Sequence, residues 1–336
     1  MRAYVLPKRT GIDDLTVVER PMPQPGPRQA LVKVRACSLN FRDLAIVLGT
    51  YRAPVRDNVI PLSDGAGEVT EVGPGVTRVK AGDRVAASFF PRWMGGPIRA
   101  ENVQMALGGS ADGMLVEYAL LDEDALVKLP AHFSFEGGAT LPCAALTAWQ
   151  ALAVHGQVVP GDVVLMQGTG GVSIFALQFA LLMGAQTIIT SSSDEKLARA
   201  KALGAMHTVN YKSTPEWDKA ALDITGGYGV DQVIEVGGAR TLEQSLRAVR
   251  IGGRVSVIGV LTGAGEINPT FILGRRANVQ GMSVGSVEMF HAMNRAIEAA
   301  KLKPVIDRVF PFDEAREAFR YMESAKHFGK IVVRVA

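Results

Sequence analysis

A glycine-rich segment, Gln167-Gly168-Thr169-Gly170-Gly171-Val172-Ser173, follows the apolar run Val163-Val164-Leu165-Met166 and leads into a long apolar stretch over 171–183. A chain that leaves a strand, turns on glycine and enters a helix presents unpaired N–H groups to an anion, and the helix dipole adds to their pull. The first glycine permits the tight turn, the second lets the backbone approach a pyrophosphate, and the third position is the still small Ser173. Gly168, Thr169, Gly170, Gly171 and Val172 are therefore candidate contacts to a dinucleotide.

The next strand selects between two such cofactors. A carboxylate at its tip accepts from a ribose 2′-OH and repels a 2′-phosphate. Here the strand ends Thr190-Ser191-Ser192-Ser193 without an acid, and Lys196 lies one helical turn further on. Hydroxyls at Ser191 and Ser192 beside an ammonium suit a phosphate, so NADPH is the expected cofactor. A plainer reading of the same residues makes Asp194 and Glu195 the acidic first turn of a helix and Lys196 a solvated lysine.

These residues need a scaffold that brings strand tips together. From Asp162 onward the pattern alternates strands, expected over 163–166, 187–190, 207–209, 232–235 and 255–258, with helices over 172–183, 195–203, 215–225 and 242–249. That rhythm specifies a parallel sheet covered on both faces, a doubly wound α/β domain. The first ~120 residues read instead as short strands broken by turns, an estimate from pattern alone. Strands are expected over 30–36, 67–72 and 84–87, followed by a long loop over 89–113 that carries Phe89, Phe90 and Trp93. After Gly274 the pattern gives a strand over 279–283, helices over 288–300 and 314–323, and a last strand over 330–333.

With 336 residues, two domains are expected. The 36 basic and 33 acidic residues leave +3 and no basic stripe, which argues against nucleic acid as a partner. The apolar stretch over 171–183 is interrupted by Ser173 and Gln178 and is shorter than the ~20 residues of a membrane span, so it reads as a core helix and no membrane is expected as a partner. Met1-Arg2-Ala3-Tyr4-Val5 runs directly into an alternating strand, and a cytoplasmic location is expected. The two cysteines, Cys37 and Cys143, exclude a disulfide framework and a four-cysteine zinc site. The five histidines form no motif.

Five segments together resemble the medium-chain dehydrogenase/reductase superfamily, and more closely its zinc-free quinone oxidoreductase-like branch. They are Gly65-Ala66-Gly67-Glu68-Val69, Gly82-Asp83-Arg84-Val85, the run from Leu141 to Trp149, the loop from Gly168 to Ser173, and Lys201-Ala202-Leu203-Gly204-Ala205. The resemblance implies a GroES-like, β-rich catalytic domain over 1–122 and 273–336, interrupted by a Rossmann domain over 123–272. It also implies that Lys196 and Tyr211 hold the 2′-phosphate with Ser191, that Gly259, Val284 and Ser286 line the nicotinamide, and that Thr147 lies next to it. A homodimer formed through the 279–283 strand is implied as well.

The departures from zinc-dependent relatives bear on the chemistry. A catalytic zinc needs three protein ligands and an open position. The position of the first ligand cysteine is Asn40, the Gly-His-Glu motif reads Leu62-Ser63-Asp64, and only Cys143 matches a ligand position. No metal is expected. Hydride delivery to an isolated ketone leaves a localised alkoxide that zinc would stabilise, whereas delivery to an enone or quinone leaves delocalised charge that hydrogen-bond donors support. A small carbonyl or quinone is the expected substrate. Tyr51, in a stretch resembling the tyrosine loop of zinc-free enoyl reductases, is the donor candidate, and an aromatic cap on the β domain is its alternative. Asn40 could orient substrate or nicotinamide, or form a turn. Asp64 either works at the site or accepts from nearby backbone. Two other functions stay open: a zinc-free alcohol dehydrogenase or aldehyde reductase, and a non-catalytic, crystallin-like NADPH-binding protein.

Overall fold

Alternation in the first third of the chain becomes antiparallel sheet in the computed structural model, which describes residues 1–263 and 265–335. A hairpin of β1 (Arg2–Val5) and β2 (Thr16–Glu19) precedes the long strand β3 (Gln29–Ser38). Next come α1 (Phe41–Val47), β4 (Asp64–Val72), β5 (Arg84–Ala87), α2 (Ala100–Val103), β6 (Tyr118–Asp122), β7 (Leu126–Lys128) and α3 (Phe135–Ala139). Wide π-type turns over Leu141–Ala145 and Gln150–His155 flank α4 (Leu146–Trp149), and such turns recur at functional sites.

The apolar runs after Asp162 fold as expected, into parallel strands of which the central ones are buried on both faces. They are β8 (Val163–Gln167), β9 (Gln186–Ser191), β10 (His207–Asn210), β11 (Val230–Glu235), β12 (Val249–Val257) and β13 (Asn278–Gly281). Between them run α5 (Gly171–Leu182), α6 (Asp194–Ala202), α7 (Trp217–Ile224), α8 (Ala239–Ala248) and α9 (Thr270–Arg275). The sheet order β10-β9-β8-β11-β12-β13, all parallel, reverses direction beside β8, which is where doubly wound sheets bind nucleotides. Leu165, Ile188, Val233 and Val255 at its centre are fully buried, each contributing about 1.5–3 kcal/mol of transfer free energy.

The chain then supplies α10 (Val287–Ala300), β14 (Ile306–Pro311), α11 (Ala315–Glu323) and β15 (Lys330–Arg334). The last two strands extend the first sheet to the order β14-β15-β3-β4-β5-β7, with β6 also paired to β3. Strands β2, β6, β7 and β14 were not among the expected ones.

The chain divides into one unit of residues 1–146 with 284–335 and a second of Thr147–Ser283. This moves the expected boundaries, 122/123 and 272/273, toward the C-terminus. Pairing explains both shifts: β7 hydrogen-bonds to β5 in the first sheet, and β13 to β12 in the second. The 89–113 segment folds back on its own unit. Phe89, Phe90 and Trp93 are buried, Phe89 O accepts from Leu107 N at 3.1 Å, and Trp93 O accepts from Val287 N at 2.9 Å. Among the described residues no helix is long and apolar enough to cross a membrane.

Candidate active site

In the second unit the glycine loop has the form its sequence demands. Gly168 adopts φ +70° at the tip of β8, and a Cβ on Gly168 or Gly170 would meet nothing within 4 Å, so the backbone lies open to a ligand. Gly170 is the N-cap of α5, no side chain caps the helix, and no acid stands in its first turn. The N–H groups around Gly171 and Val172 thus keep their anion-binding capacity. Thr169 is buried beside them. Ser173 has a different task, since its hydroxyl donates to Gln167 O at 2.6 Å and ties helix to strand.

A buried network fixes the floor of this loop. Gln167 Nε2 donates to Glu235 Oε2 at 2.7 Å, and Gln167 Oε1 accepts from the N–H groups of Val236 and Gly237, each at 3.2 Å. Glu235 Oε1 also accepts from Gly237 N, Gly238 N and Thr241 Oγ1 at 2.7, 2.9 and 2.6 Å. Gly259 closes against it: a Cβ there would stand 2.5 Å from Val236 O.

The tip of β9 gathers the four residues expected at the 2′-phosphate, Ser191, Ser192, Lys196 and Tyr211. Ser191 O accepts from Tyr211 N at 3.1 Å, and Ser191 Oγ accepts from Ser193 N at 3.3 Å. Ser192 lies between those two serines, and Ser193 Oγ caps α6 by accepting from Lys196 N at 3.3 Å. Asp194, the nearest acid, is tethered sideways, its Oδ1 accepting from Asn210 Nδ2 at 2.7 Å. Thr147 is the buried first residue of this unit.

In the first unit, strand register explains how distant residues meet. Val332 of β15 lies opposite Ser38 of β3, and Ser38 opposite Asp64 of β4. Continuing the antiparallel pairing by two residues brings Lys330 level with Asn40. The resulting buried chain runs from Lys330 Nζ to Asn40 Oδ1 at 2.6 Å, from Asn40 Nδ2 to Ser63 Oγ at 3.5 Å, and from Ser63 Oγ to Asp64 Oδ1 at 2.7 Å. Asp64 Oδ2 takes the Cys143 N–H at 3.1 Å, which realises the backbone-acceptor role weighed for it. Leu62, just before this pair, has φ +66°, a strained conformation for a bulky residue of the kind that collects at functional sites.

Asn40 also starts α1, where Asp43 Oδ2 accepts its backbone N–H at 2.8 Å. Burial pushes the carboxyls of Asp43 and Asp64 up, Asp43 to about 6, while Arg42 and Lys330 respectively pull them back. Tyr51 stands outside the chain. Arg42, whose guanidinium donates to Leu107 O at 2.7 Å, lies 5.3 Å from the Tyr51 ring centroid and 4.6 Å from that of Phe89. The Tyr51 hydroxyl makes no hydrogen bond among the described residues. Val284 holds φ +45°, unusual for a β-branched residue, whereas the Ser286 hydroxyl caps α10 by accepting from Met289 N at 3.2 Å.

This donor set does not fit a catalytic zinc. An amide and a hydroxyl, Asn40 and Ser63, stand at two of the three ligand positions, with an ammonium already on the amide oxygen. Burial, reinforced by Asp64, also pushes the Cys143 thiol well up, away from the thiolate a metal requires. Among the described residues no three His, Cys, Asp or Glu side chains come close enough to hold an ion. Lys330 is the member that sequence reasoning missed; the available signal was a lysine opening an otherwise apolar final strand.

Two family models match the chain: an alcohol dehydrogenase GroES-like domain over residues 26–131 and a zinc-binding dehydrogenase domain over residues 171–299. A zinc-type alcohol dehydrogenase-like protein of Schizosaccharomyces pombe is 47% identical, over 100% of this chain and 99% of its own. A quinone oxidoreductase of Rattus norvegicus is 30% identical over 93% of this chain and 91% of its own. The crystal structure of an NAD-dependent alcohol dehydrogenase superposes with TM-score 0.91 at 34% identity and covers 100% of both chains.

Proposed function

Because the chain belongs to the medium-chain dehydrogenase/reductase superfamily, with its GroES-like and Rossmann-type domains, we propose that it is a cytoplasmic NADPH-dependent oxidoreductase that reduces a quinone or an α,β-unsaturated carbonyl without zinc. The observation that carries this reading is the Lys330-Asn40-Ser63-Asp64 chain, a set of donors and charges in the place where metal-dependent relatives need ligands.

When bound, NADPH supplies the hydride. The residues that would hold it are the loop from Gly168 to Val172 at the pyrophosphate, Ser191, Ser192, Lys196 and Tyr211 at the 2′-phosphate, and Gly259, Val284 and Ser286 near the nicotinamide, with Thr147 beside them. The acceptor's β-carbon gains a C–H bond, its π electrons move to oxygen, and that oxygen then takes a proton. In this reading Tyr51, whose ring lies against Arg42, would donate its O–H to the charged oxygen, and Asn40 would help to orient the acceptor or the nicotinamide. No step calls on a Lewis acid.

Alcohol dehydrogenase names among the relatives favour a second reading, zinc-free alcohol oxidation or aldehyde reduction. A single panel separates the two. NADPH oxidation is followed with quinones, enones and aldehydes, with and without strong chelator. Chelator-insensitive turnover of quinones or enones is expected; turnover confined to alcohols or aldehydes, or abolished by chelation, would overturn the proposal.

A further inference from the structure

In the second unit the strand order reverses between β8 and β11, so the crevice of the sheet opens where these two strands end, at Gln167 and Glu235. Met166 pairs with Ile234, which sets Gln167 level with Glu235, and level residues on neighbouring parallel strands share a face. Both side chains are buried, and the 2.7 Å hydrogen bond from Gln167 Nε2 to Glu235 Oε2 spans the floor of the crevice. Five donors converge on Glu235: Gln167 Nε2, the N–H groups of Gly237 and Gly238, and the hydroxyls of Thr241 and Ser245. The three N–H donors have no lone pair to offer in return, so both oxygens at this position must accept. Gln167 cannot turn its amide round, because its Oε1 already accepts from Val236 N and Gly237 N.

We propose that Glu235 is a positioning residue for the dinucleotide: through Gln167 it fixes the root of the glycine loop, and so the direction in which the N–H groups from Gly168 to Val172 meet a pyrophosphate. The inference rests on the cofactor reading above. Gln167 directly precedes Gly168 and is tied twice, by its side chain to Glu235 and by its carbonyl to the Ser173 hydroxyl at 2.6 Å. Beyond that root the loop has little to hold it, since a Cβ on Gly168 or Gly170 would meet nothing within 4 Å. An amide at position 235 fails in this role. With its oxygen turned to Gly237, Gly238 and Thr241, its nitrogen would face Gln167 Nε2, donor against donor. The unbound loop can relax to relieve that clash, whereas binding must draw it back, so the cost is read in affinity. Glu235 touches no reacting atom in this scheme; it acts through Gln167.

The test is fluorescence titration of NADPH and of NADH into the full-length protein, together with the melting temperature of each unliganded variant. Glu235→Gln is expected to raise both Kd values roughly tenfold, the scale of one buried hydrogen bond, and to leave their ratio unchanged, because both cofactors carry the pyrophosphate. The exchange Gln167→Glu with Glu235→Gln moves the carboxylate to β8 and the amide to β11, and every donor again has an acceptor. It should return both Kd values toward those of the wild type. If Glu235→Gln does not fold, Gln167→Met removes the same hydrogen bond and takes its place, with the same expectation. Kd values that hold while the melting temperature falls would make Glu235 purely structural and overturn the proposal. So would weakening of NADPH alone, or an exchange that folds and binds no better than Glu235→Gln. A wild type that binds neither cofactor would instead bring down the functional reading and this inference with it, an outcome distinct from wild-type binding that Glu235→Gln leaves intact.

Discussion

Asp43, in the first turn of α1, and Tyr51, just past the end of that helix, answer to opposite influences. The Tyr51 ring is braced by Arg42 and Phe89 is braced by the same guanidinium, so the hydroxyl has a fixed base and no competing partner among the described residues. A general acid contributes about 10²–10⁴ in rate, so Tyr51→Phe is expected to lower kcat about a hundredfold while NADPH Kd holds. An unchanged kcat would return Tyr51 to the role of an aromatic cap. For Asp43, burial raises the carboxyl from an ordinary 3.8 to about 6 against the pull of Arg42. The folded chain thus holds this proton more tightly than the unfolded chain does. The stability it contributes is fully present below 3.8 and is lost as pH rises through about 6, a loss of about 3 kcal/mol. Urea unfolding of wild type and Asp43→Asn at pH 4 and pH 7 isolates it: the wild type should lose ground to the variant by about that amount. A difference that does not change with pH would contradict the burial argument.

At the level of elements, the strand tip at Ser191 and the start of α6 decide the cofactor. One charge-assisted contact is worth ~1.5–3 kcal/mol, and each 1.4 kcal/mol is tenfold in binding. Lys196→Ala is therefore expected to weaken NADPH about ten- to a hundredfold and leave NADH nearly unchanged. Ser191→Asp should move preference toward NADH by accepting from a 2′-OH and repelling phosphate. Fluorescence titration of both cofactors decides it, and equal weakening of both by Lys196→Ala would count against the assignment. This part of the molecule was legible because parallel strands buried on both faces leave unbroken apolar runs, and the glycines between β8 and α5 mark the turn. Other elements left weaker marks. In β14 only Phe310 is buried, so no alternation betrays it, and β7 is three residues long. Lys330 was hidden for a different reason: a charged residue opening a strand reads as solvated until the register of β15 on β3 sets it beside Asn40.

For the whole molecule, the open edge of the second sheet bears on assembly. β13 ends the order β10-β9-β8-β11-β12-β13, so its outer side has no strand partner among the described residues, and exposed edges invite pairing. The same unit exposes the side chains of Val260, at 67%, and Leu273, at 78%. We propose that two copies pair β13 to β13 across a two-fold axis and form a homodimer. The hydrogen bonding predicts which substitutions should matter. Met282 N donates inward to Val257 O, and since a strand alternates sides every residue, Val279 and Gly281 turn their N–H and C=O groups outward while Gln280 bonds within the sheet. Proline at an outward position removes only a donor that faces the partner, whereas proline at an inward position breaks the sheet itself. Val279→Pro should therefore stay folded and lose the dimer, and Gln280→Pro should lower the melting temperature. Light scattering at micromolar protein checks both. A monomeric wild type, or a Val279→Pro variant that remains a dimer, would show that this edge is not the interface.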